Sequence, residues 1–223
     1  KKRHIAFWGL IFWMAVSAFP SHAVTTIADY AILLDMTTGR VLFEKNANQQ
    51  MPPASMSKMM TAYVLFERLR DGSLTLDDTF SVSENAWRKG GAKSGSSTMF
   101  LEPGKKVRVE DLLRGIIVQS GNDACIVVAE GLASNEAAFA EEMTARAREL
   151  GMKNSVFKNA TGWPAPGHLS TARDLALLAE RTIRDFPEYY SYYSEKEFTY
   201  NAIRQTNRNP LLYRNVSADG LKT

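Results

Sequence analysis

Residues 55–70 read SMSKMMTAYVLFERLR, and apolar side chains occupy nearly every face of the helix that this stretch predicts. Met59, Ala62 and Phe66 recur at helical spacing, while other methionines and leucines fill the opposite side. A helix that is apolar nearly all round lies at the centre of a fold. Burying the ammonium group of Lys58 in such a helix costs free energy unless the group is paired or has lost its proton.

Lys58 follows Ser55 by three residues, which places the two side chains on one face of the predicted helix. A serine hydroxyl is a poor nucleophile unless a base takes its proton, and a desolvated lysine can act as that base in its neutral form. We therefore predict Ser55 as a nucleophile and Lys58 as its base. Ser155 and Lys158 repeat the spacing, but in a stretch typical of a strand or loop, where i and i+3 side chains diverge, so we interpret that match as chance.

Residues 1–23 have the pattern of a secretory signal peptide. Residues 1–3 are basic, residues 5–19 are apolar, and Ser-His-Ala at residues 21–23 is typical of a cleavage site. The apolar stretch is shorter than the roughly 20 residues that a membrane-spanning helix needs. We therefore expect a mature, exported domain that comprises residues 24–223.

Composition disfavours several classes of site. Three of the 27 Lys and Arg residues fall in the predicted signal, so the mature part carries 24 basic against 24 acidic residues, which gives no basis for nucleic-acid binding. After residue 23 the sequence has one histidine, His168, and one cysteine, Cys125. These are too few for a zinc site or an internal disulfide and disfavour a Ser-His-Asp triad, so we expect no metal or cofactor. We interpret His168 as a loop residue and predict that Cys125, within an apolar stretch, is buried.

The remaining pattern predicts a mixed α+β domain. Residues 30–45 predict two strands around a turn, and residues 88–104, rich in Gly and Ser, predict a long mobile loop. Further helices are predicted at residues 109–118, 122–133, 135–150 and 170–186, the last capped by Ser170. A strand is expected at the end of the sequence. Because a two-stranded hairpin is marginal alone, we expect additional strands to complete its sheet.

Two further motifs carry polar side chains. Ser120-Gly121-Asn122 lies between two predicted helices, where a loop can present two polar groups to a cleft, although a capped turn is the better interpretation of this motif taken alone. Lys222-Thr223 carries no information by itself.

Together and in this order, the three motifs resemble the Ser-x-x-Lys, Ser-x-Asn and Lys-Thr-Gly set of the serine penicillin-recognising enzymes. The chain more closely resembles the low-molecular-mass penicillin-binding proteins that act as D-alanyl-D-alanine carboxypeptidases. Stretches such as ILLDMTTGRVLFEKNAN, LLRGIIVQSGNDAC and STARDLALLAE extend the resemblance over essentially the whole mature chain. It implies an α+β fold with an antiparallel sheet flanked by helices and an all-helical subdomain.

The resemblance also implies a mechanism. Ser55 would attack the penultimate D-alanine carbonyl of a peptidoglycan stem peptide with Lys58 as base, and water would then release the acyl-enzyme. β-Lactam antibiotics would acylate the same serine. The other implied roles are a proton relay to the leaving D-alanine (Ser120), a hydrogen bond to the substrate backbone (Asn122) and binding of the terminal carboxylate (Lys222 and Thr223).

The family's third motif continues with a glycine, followed by closing strands and a membrane-associating segment. None of these lies in this sequence, so we expect the domain at residues 24–223 to be incomplete at its carboxy-terminal end. The family implies a role in cell-wall biogenesis and cell shape, in the periplasm on the outer face of the bacterial inner membrane.

Two alternatives remain open. A class A serine β-lactamase carries Ser-Asp-Asn where this chain has Ser-Gly-Asn, and its deacylating Glu cannot be assigned here. A β-lactam sensor or peptidoglycan-binding module, acylated without turnover, would be expected to have transmembrane helices, and the mature sequence predicts none. Arg208 is a further candidate ligand of the substrate carboxylate, although we favour a salt bridge within its loop.

Overall fold

The computed structural model describes residues 24–222. The signal peptide predicted at residues 1–23 and the carboxylate ligand predicted at Thr223 lie outside the described residues. Within the described part, no helix has both the length and the apolar character to cross a membrane.

Helices and antiparallel strand pairs make up the described chain, in agreement with the predicted α+β class. The helices are α1 (Lys58–Arg70), α2 (Glu84–Gly90), α3 (Val109–Ile117), α4 (Asn122–Leu132), α5 (Glu136–Leu150), α6 (Ala172–Asp185) and α7 (Pro187–Tyr190). The strand pairs are β1 (Ala31–Asp35) with β2 (Arg40–Lys45), β3 (Thr79–Ser81) with β4 (Lys106–Arg108), and β5 (Glu197–Tyr200) with β6 (Ile203–Thr206).

Helix α1 lies at the centre of the fold, as its apolar sequence predicts. Leu65 and Phe66 are fully buried although they point in different directions from the helix axis. The helix packs against α3, α4, α5 and α6, and Tyr63 meets the Phe186 ring edge to face at 4.9 Å between centroids. Gly72, with φ +77°, follows the helix and turns the chain away.

The predicted first hairpin is confirmed as β1 and β2, and β1 packs on α6. Its turn is held by Asp35, whose carboxylate accepts hydrogen bonds from the Thr37 backbone N–H at 2.9 Å and the Thr38 hydroxyl at 2.5 Å. Gly39 completes the turn with φ +71°. Among the described residues no third strand joins this pair, so the further strands that we expected beside it stay a prediction.

Ser170 is not the cap of α6, contrary to the sequence prediction. Thr171 caps the helix by accepting a hydrogen bond from the Asp174 N–H at 3.1 Å. Ser170 instead lies one residue earlier, where its backbone pairs with Met51 and its hydroxyl meets that of Ser155 at 2.8 Å.

The long loop predicted at residues 88–104 begins later in the structure than the sequence predicts. Residues 84–90 form α2, whose cap Ser83 accepts a hydrogen bond from the Ala86 N–H at 2.9 Å, and a short 3-10 turn follows.

The strand expected at the end of the sequence is also wrong for the described residues, because residues 216–222 are irregular. The later strands lie earlier, as β5 and β6. Asn201 and Ala202 form the turn between them, both with positive φ. The small β3–β4 pair was likewise not predicted.

Candidate active site

The structure brings Ser55 and Lys58 together, although not within one α-helix. Ser55 lies in a single 3-10 turn (Ala54–Ser57), and Lys58 is the first residue of α1. Side chains three residues apart eclipse each other in a 3-10 turn. Lys58 Nζ lies 3.2 Å from Ser55 Oγ, within hydrogen-bond distance. The predicted contact is therefore present, with a local geometry different from the one expected.

Lys58 occupies a site that favours its neutral form. The side chain is only 1% exposed, and Nζ donates a hydrogen bond to the Thr161 carbonyl oxygen at 2.6 Å. Burial lowers the pKa of Lys58; the nearby Arg208 lowers it further, whereas Cys125 and Asp123 act in the opposite direction. A lysine with a lowered pKa can accept a proton near neutral pH, as a general base must.

The loop at residues 159–163 carries the Thr161 carbonyl to Lys58. The Asn159 side chain organises this loop by accepting hydrogen bonds from the backbone N–H groups of Thr161 and Gly162, at 3.1 and 2.8 Å. Gly162 has φ +83° and packs against the backbone of Ala54. Sequence reasoning missed this loop, because a backbone carbonyl leaves no signal in the residue type.

A Gly162→Ala substitution is expected to destabilise the protein and to disturb the Ser55 turn. A Cβ atom at residue 162 would lie 1.8 Å from the Ala54 carbonyl oxygen, so the backbone beside Ser55 would have to shift. Thermal melts should report the loss of stability. Labelling with a fluorescent penicillin, which the family resemblance implies for Ser55, should report the damage to the turn.

Gly167→Ala is the matched control for Gly162→Ala. Gly167 has φ +76°, but a Cβ atom there meets only the flexible end of Lys158, at 3.5 Å. This variant should show the cost of a left-handed alanine alone, about 1–2 kcal/mol, with labelling retained. Equal effects of the two substitutions on labelling would contradict the role of the close approach.

The Ser120–Asn122 segment presents polar groups rather than capping a helix. Gly121 occupies the N-cap position of α4 without a side-chain cap, and Ser120 has φ +62°. The Ser120 hydroxyl is buried and has no hydrogen-bond partner among the described residues. Asn122 lines the same cleft as Ser55. A buried hydroxyl without a partner is unusual in proteins, and this geometry argues against the capped turn that we favoured for the motif alone.

Asp123 holds the first turn of α4 against residues 98–101 and was not identified from the sequence. Its carboxylate accepts hydrogen bonds from the Thr98 hydroxyl at 2.6 Å and from the backbone N–H groups of Met99 and Leu101 at 3.0 and 3.1 Å. The preceding Asn122 N–H donates to the Ser97 carbonyl at 2.7 Å. The first turn of α4 and residues 97–101 therefore form one braced unit.

Ser55 opens onto a cleft of about 350 Å³. Arg208 is on its rim, where the guanidinium donates to the Ser97 hydroxyl and the backbone N–H donates to the Val118 carbonyl at 3.2 Å. No described carboxylate lies within salt-bridge distance of Arg208, so the loop salt bridge that we favoured is wrong. The cleft is lined by Ala54, Ser55, Gly95, Ser96, Ser97, Asn122, Thr161, Gly162, Trp163, Pro164 and Arg208, without an acidic side chain among these described residues.

Lys222 approaches the same site from the end of the described chain. It is half-buried, and burial, together with the positive charges of Lys58 and Arg208, lowers its pKa to about 7 against the opposing effect of Cys125. Lys222 is therefore close enough to Lys58 for the two groups to interact electrostatically. Across residues 24–222, no three His, Cys, Asp or Glu side chains cluster as metal ligands would.

His168 lies in a loop, as predicted, but is buried beneath the Ser55 turn. Its Nδ1 accepts a hydrogen bond from the Lys158 N–H at 3.4 Å, so Nε2, 2.9 Å from Ser57 Oγ, carries the ring proton and donates it to that hydroxyl. Burial and the charge of Lys158 lower the pKa of His168 to about 4. A neutral His168 therefore supports the turn through Ser57, and Lys58 is the base that contacts Ser55.

The second Ser-x-x-Lys match does not form a comparable pair. Ser155 is fully buried and donates to the Asp174 carboxylate at 2.7 Å. Lys158 is exposed. This arrangement favours our interpretation of the match as chance.

Cys125 is fully buried on α4, as predicted. Burial raises its thiol pKa to about 12, against the opposing effect of the positive charges of Lys58 and Lys222. Few thiolate anions are then present at neutral pH, and the thiolate is the reactive form.

A bulky maleimide is therefore expected to react with Cys125 much more slowly in the folded protein than in the denatured protein. Modification, once it occurs, should displace α4 and abolish penicillin labelling. The Cys125→Ala protein, treated in the same way, should keep its labelling. Rapid modification of the native protein without loss of labelling would contradict the buried position.

Comparisons of sequence identify the family of this chain. The family model described as D-alanyl-D-alanine carboxypeptidase (peptidase family S11) matches residues 17–223. The D-alanyl-D-alanine carboxypeptidases DacC and DacA of Escherichia coli K12 are 47% and 46% identical to this chain, over 86% and 88% of its length. The alignments cover 48% and 49% of those proteins, so the chain spans about half the length of the curated relatives it matches.

Solved structures give the same result. Penicillin-binding protein 5 of Haemophilus influenzae superposes with a TM-score of 0.82 at 40% identity, covering 86% of this chain and 56% of that one. Penicillin-binding protein D2 of Listeria monocytogenes, solved in its ampicillin-bound form, gives a TM-score of 0.74 at 29% identity, covering 91% and 81%. The chain, with its buried lysine beside a serine and its matching fold, therefore belongs to the S11 family of D-alanyl-D-alanine carboxypeptidases.

Proposed function

We propose that the protein is a serine-type D-Ala-D-Ala carboxypeptidase that removes the terminal D-alanine of peptidoglycan stem peptides through an acyl-enzyme on Ser55. The observation that carries the proposal is the 3.2 Å contact between Ser55 Oγ and the buried Lys58 Nζ at the edge of an open cleft. Membership in the family supports the substrate class. In this proposal, residues 24–223 belong to the catalytic domain.

The reaction begins when neutral Lys58 takes the Ser55 proton as the hydroxyl oxygen attacks the penultimate carbonyl. The Ser55 backbone N–H donates to the developing oxyanion. Ser120 relays the Ser55 proton from the Lys58 ammonium to the leaving D-alanine nitrogen, which returns Lys58 to its neutral form, and Asn122 donates a hydrogen bond to the substrate backbone. Water then hydrolyses the ester and restores the serine.

The positively charged side chains beside the cleft account for the preference for substrates with a free carboxy terminus. Lys222 lies close to Lys58, and Arg208 is on the rim of the cleft. A substrate carboxylate placed between Lys222 and Arg208 forms charge-assisted hydrogen bonds, which are stronger than neutral ones. Thr223 adds a hydroxyl to this carboxylate site.

β-Lactams are proposed to acylate the same serine, which the likeness to an ampicillin-bound neighbour supports. The proposed cellular role is cell-wall biogenesis and maintenance of cell shape. The signal-peptide pattern of residues 1–23 supports the proposed export to the periplasm, and the family resemblance supports the proposed peripheral association with the inner membrane.

Free D-alanine, measured after the purified protein is incubated with a peptide ending in D-Ala-D-Ala, tests the proposed function. A carboxypeptidase releases D-alanine and forms a long-lived adduct with a fluorescent penicillin. A β-lactamase would instead hydrolyse the β-lactam rapidly without releasing D-alanine. A sensor would form a stoichiometric adduct but would hydrolyse neither the β-lactam nor the peptide. Either of the last two outcomes would overturn the proposal.

A further inference from the structure

The orientation of the Lys58 amine is a separate requirement from its pKa. A neutral amine has two N–H donors and one lone pair, and only the lone pair can accept the Ser55 proton. The Thr161 carbonyl oxygen, 2.6 Å from Nζ, takes one N–H. With that donor fixed, rotation about the Cε–Nζ bond is restricted, and the lone pair can occupy only the two other positions on Nζ. The Thr161 carbonyl therefore limits the orientations that the base can adopt.

Asn159 determines where that carbonyl lies. Its side-chain oxygen accepts hydrogen bonds from the Thr161 N–H at 3.1 Å, the Thr161 hydroxyl at 3.0 Å and the Gly162 N–H at 2.8 Å. Its side-chain nitrogen donates to the Trp163 carbonyl at 2.8 Å. One half-buried side chain thus makes four hydrogen bonds to the loop that carries the orienting carbonyl.

Ala160, the residue before Thr161, is held by hydrogen bonds that do not involve Asn159. The Ala160 carbonyl accepts a hydrogen bond from the Thr61 hydroxyl at 2.7 Å, and the Ala160 N–H donates to the Glu136 carboxylate at 3.2 Å. These bonds hold the loop on α1 and α5 whether or not Asn159 is present. Loss of the Asn159 side chain should therefore alter the local direction of the Thr161 carbonyl without unfolding the domain.

We propose that Asn159 is a positioning residue for the reaction: it holds the Thr161 carbonyl on Lys58 and thereby sets the orientation and the proton affinity of the base. This proposal rests on the proposed function of Ser55 and Lys58. All the hydrogen bonds described for the Asn159 side chain go to the loop, so it acts through Thr161 and not on the substrate.

The charged groups around Lys58 and Asn159 determine what a pH profile of acylation can report. Asp123 and Cys125 face Lys58 from α4, and Arg208 and Lys222 face it from the carboxy-terminal segment. None of these changes when Asn159 is replaced.

Asn159 shares a neighbouring cavity with Lys89 and Glu136. The variants leave both of these residues unchanged. The acid limb is the pH range over which acylation rises as Lys58 loses its proton. A shift of this limb can therefore be assigned to the substitution itself.

The test compares Asn159→Ala and Asn159→Asp through the pH dependence of acylation by a fluorescent penicillin. Asn159→Ala releases the carbonyl, so the maximal acylation rate should fall about 10- to 100-fold, as a misplaced catalytic group typically causes. The acid limb should move to lower pH, because the carbonyl no longer stabilises the ammonium form. Asn159→Asp retains the accepting oxygen and adds a negative charge, so its rate should fall less and its limb should move to higher pH.

Lys158→Ala is the matched control, since Lys158 is exposed and precedes Asn159 in the chain. It should change neither the maximal rate nor the acid limb. A thermal melt of each variant separates positioning from stability, because a purely structural role would lower the melting temperature and the active fraction but leave the limb where it was. Unshifted limbs in both Asn159 variants, or shifts in the same direction, would overturn the proposal.

A second readout does not depend on catalysis. NMR titration of the Lys58 Nζ group in protein labelled with ¹⁵N-lysine measures its pKa directly, and the two variants should move that pKa in opposite directions. If the unsubstituted protein is not acylated at all, the proposed function fails, while this titration still decides whether Asn159 controls the proton affinity of Lys58. An unchanged pKa in both variants would show that it does not.

Discussion

A Ser55→Ala protein is expected to form no covalent adduct with a fluorescent penicillin and to release no D-alanine. The substitution removes the oxygen that forms the acyl bond and leaves Lys58 without a hydroxyl to activate. Loss of the nucleophile from a serine peptidase lowers turnover by about 10⁶-fold, which is below detection in either assay. Ser55 is only half-buried at the edge of the cleft, so the melting temperature should stay close to that of the unsubstituted protein.

Ser155→Ala is the control with the same chemical change at the second Ser-x-x-Lys match. Ser155 donates to the Asp174 carboxylate within the core. That carboxylate keeps its hydrogen bond from the Asn154 N–H, but losing one hydrogen bond to a charged group typically costs about 1.5–3 kcal/mol. This variant should therefore melt earlier but keep its labelling. A penicillin adduct on the Ser55→Ala protein, at Ser155 or at any other residue, would show that the nucleophile has been assigned wrongly.

Lys58→Arg is expected to be inactive although it preserves the positive charge. A guanidinium group does not give up its proton near neutral pH and so cannot serve as a base. Loss of general-base catalysis should reduce the acylation rate by at least about 10²- to 10⁴-fold. The rate of penicillin adduct formation measures the effect directly, and near-normal acylation would mean that Lys58 contributes only its charge.

The pH dependence provides a second check on Lys58. Burial lowers the pKa of Lys58, and the active form is the neutral amine. The acylation rate of the unsubstituted protein should therefore rise with pH through that lowered pKa and be lost below it. The residual activity of Lys58→Arg should lack this limb. Lys158→Arg, a change at an exposed position, controls for the substitution and should retain the normal profile.

The Ser55–Lys58 contact could be predicted because it depends on spacing more than on helix type. The sequence predicts an α-helix from residue 55, and the structure has a 3-10 turn that leads into α1. Residues i and i+3 lie on the same side in both geometries, so the error in the element did not affect the pair. The burial of α1 followed equally directly from its apolar composition.

Other parts of the site depend on long-range contacts that leave little trace in local sequence. The Thr161 carbonyl is a main-chain group, and its 103-residue separation from Lys58 is bridged only by the fold. The sequence predicts His168 as a loop residue, but in the structure it is buried in contact with Ser57 and Phe157. The turn between β5 and β6 places Ala202 at φ +60°, where Gly or Asn is typical, so the usual hairpin signal is absent.

The distribution of charge in the site has a consequence for association kinetics. The region after residue 23 has balanced charges overall. At the cleft, by contrast, Arg208 and Lys222, which is partly protonated at neutral pH because its pKa is about 7, supply positive charge, and no acidic side chain lines the described wall. A concentrated positive field attracts an anionic peptide terminus and accelerates its encounter with the enzyme. Salt screens such attraction over about 10 Å at 0.1 M ionic strength, so capture of the substrate depends on ionic strength, while the chemistry that follows capture does not.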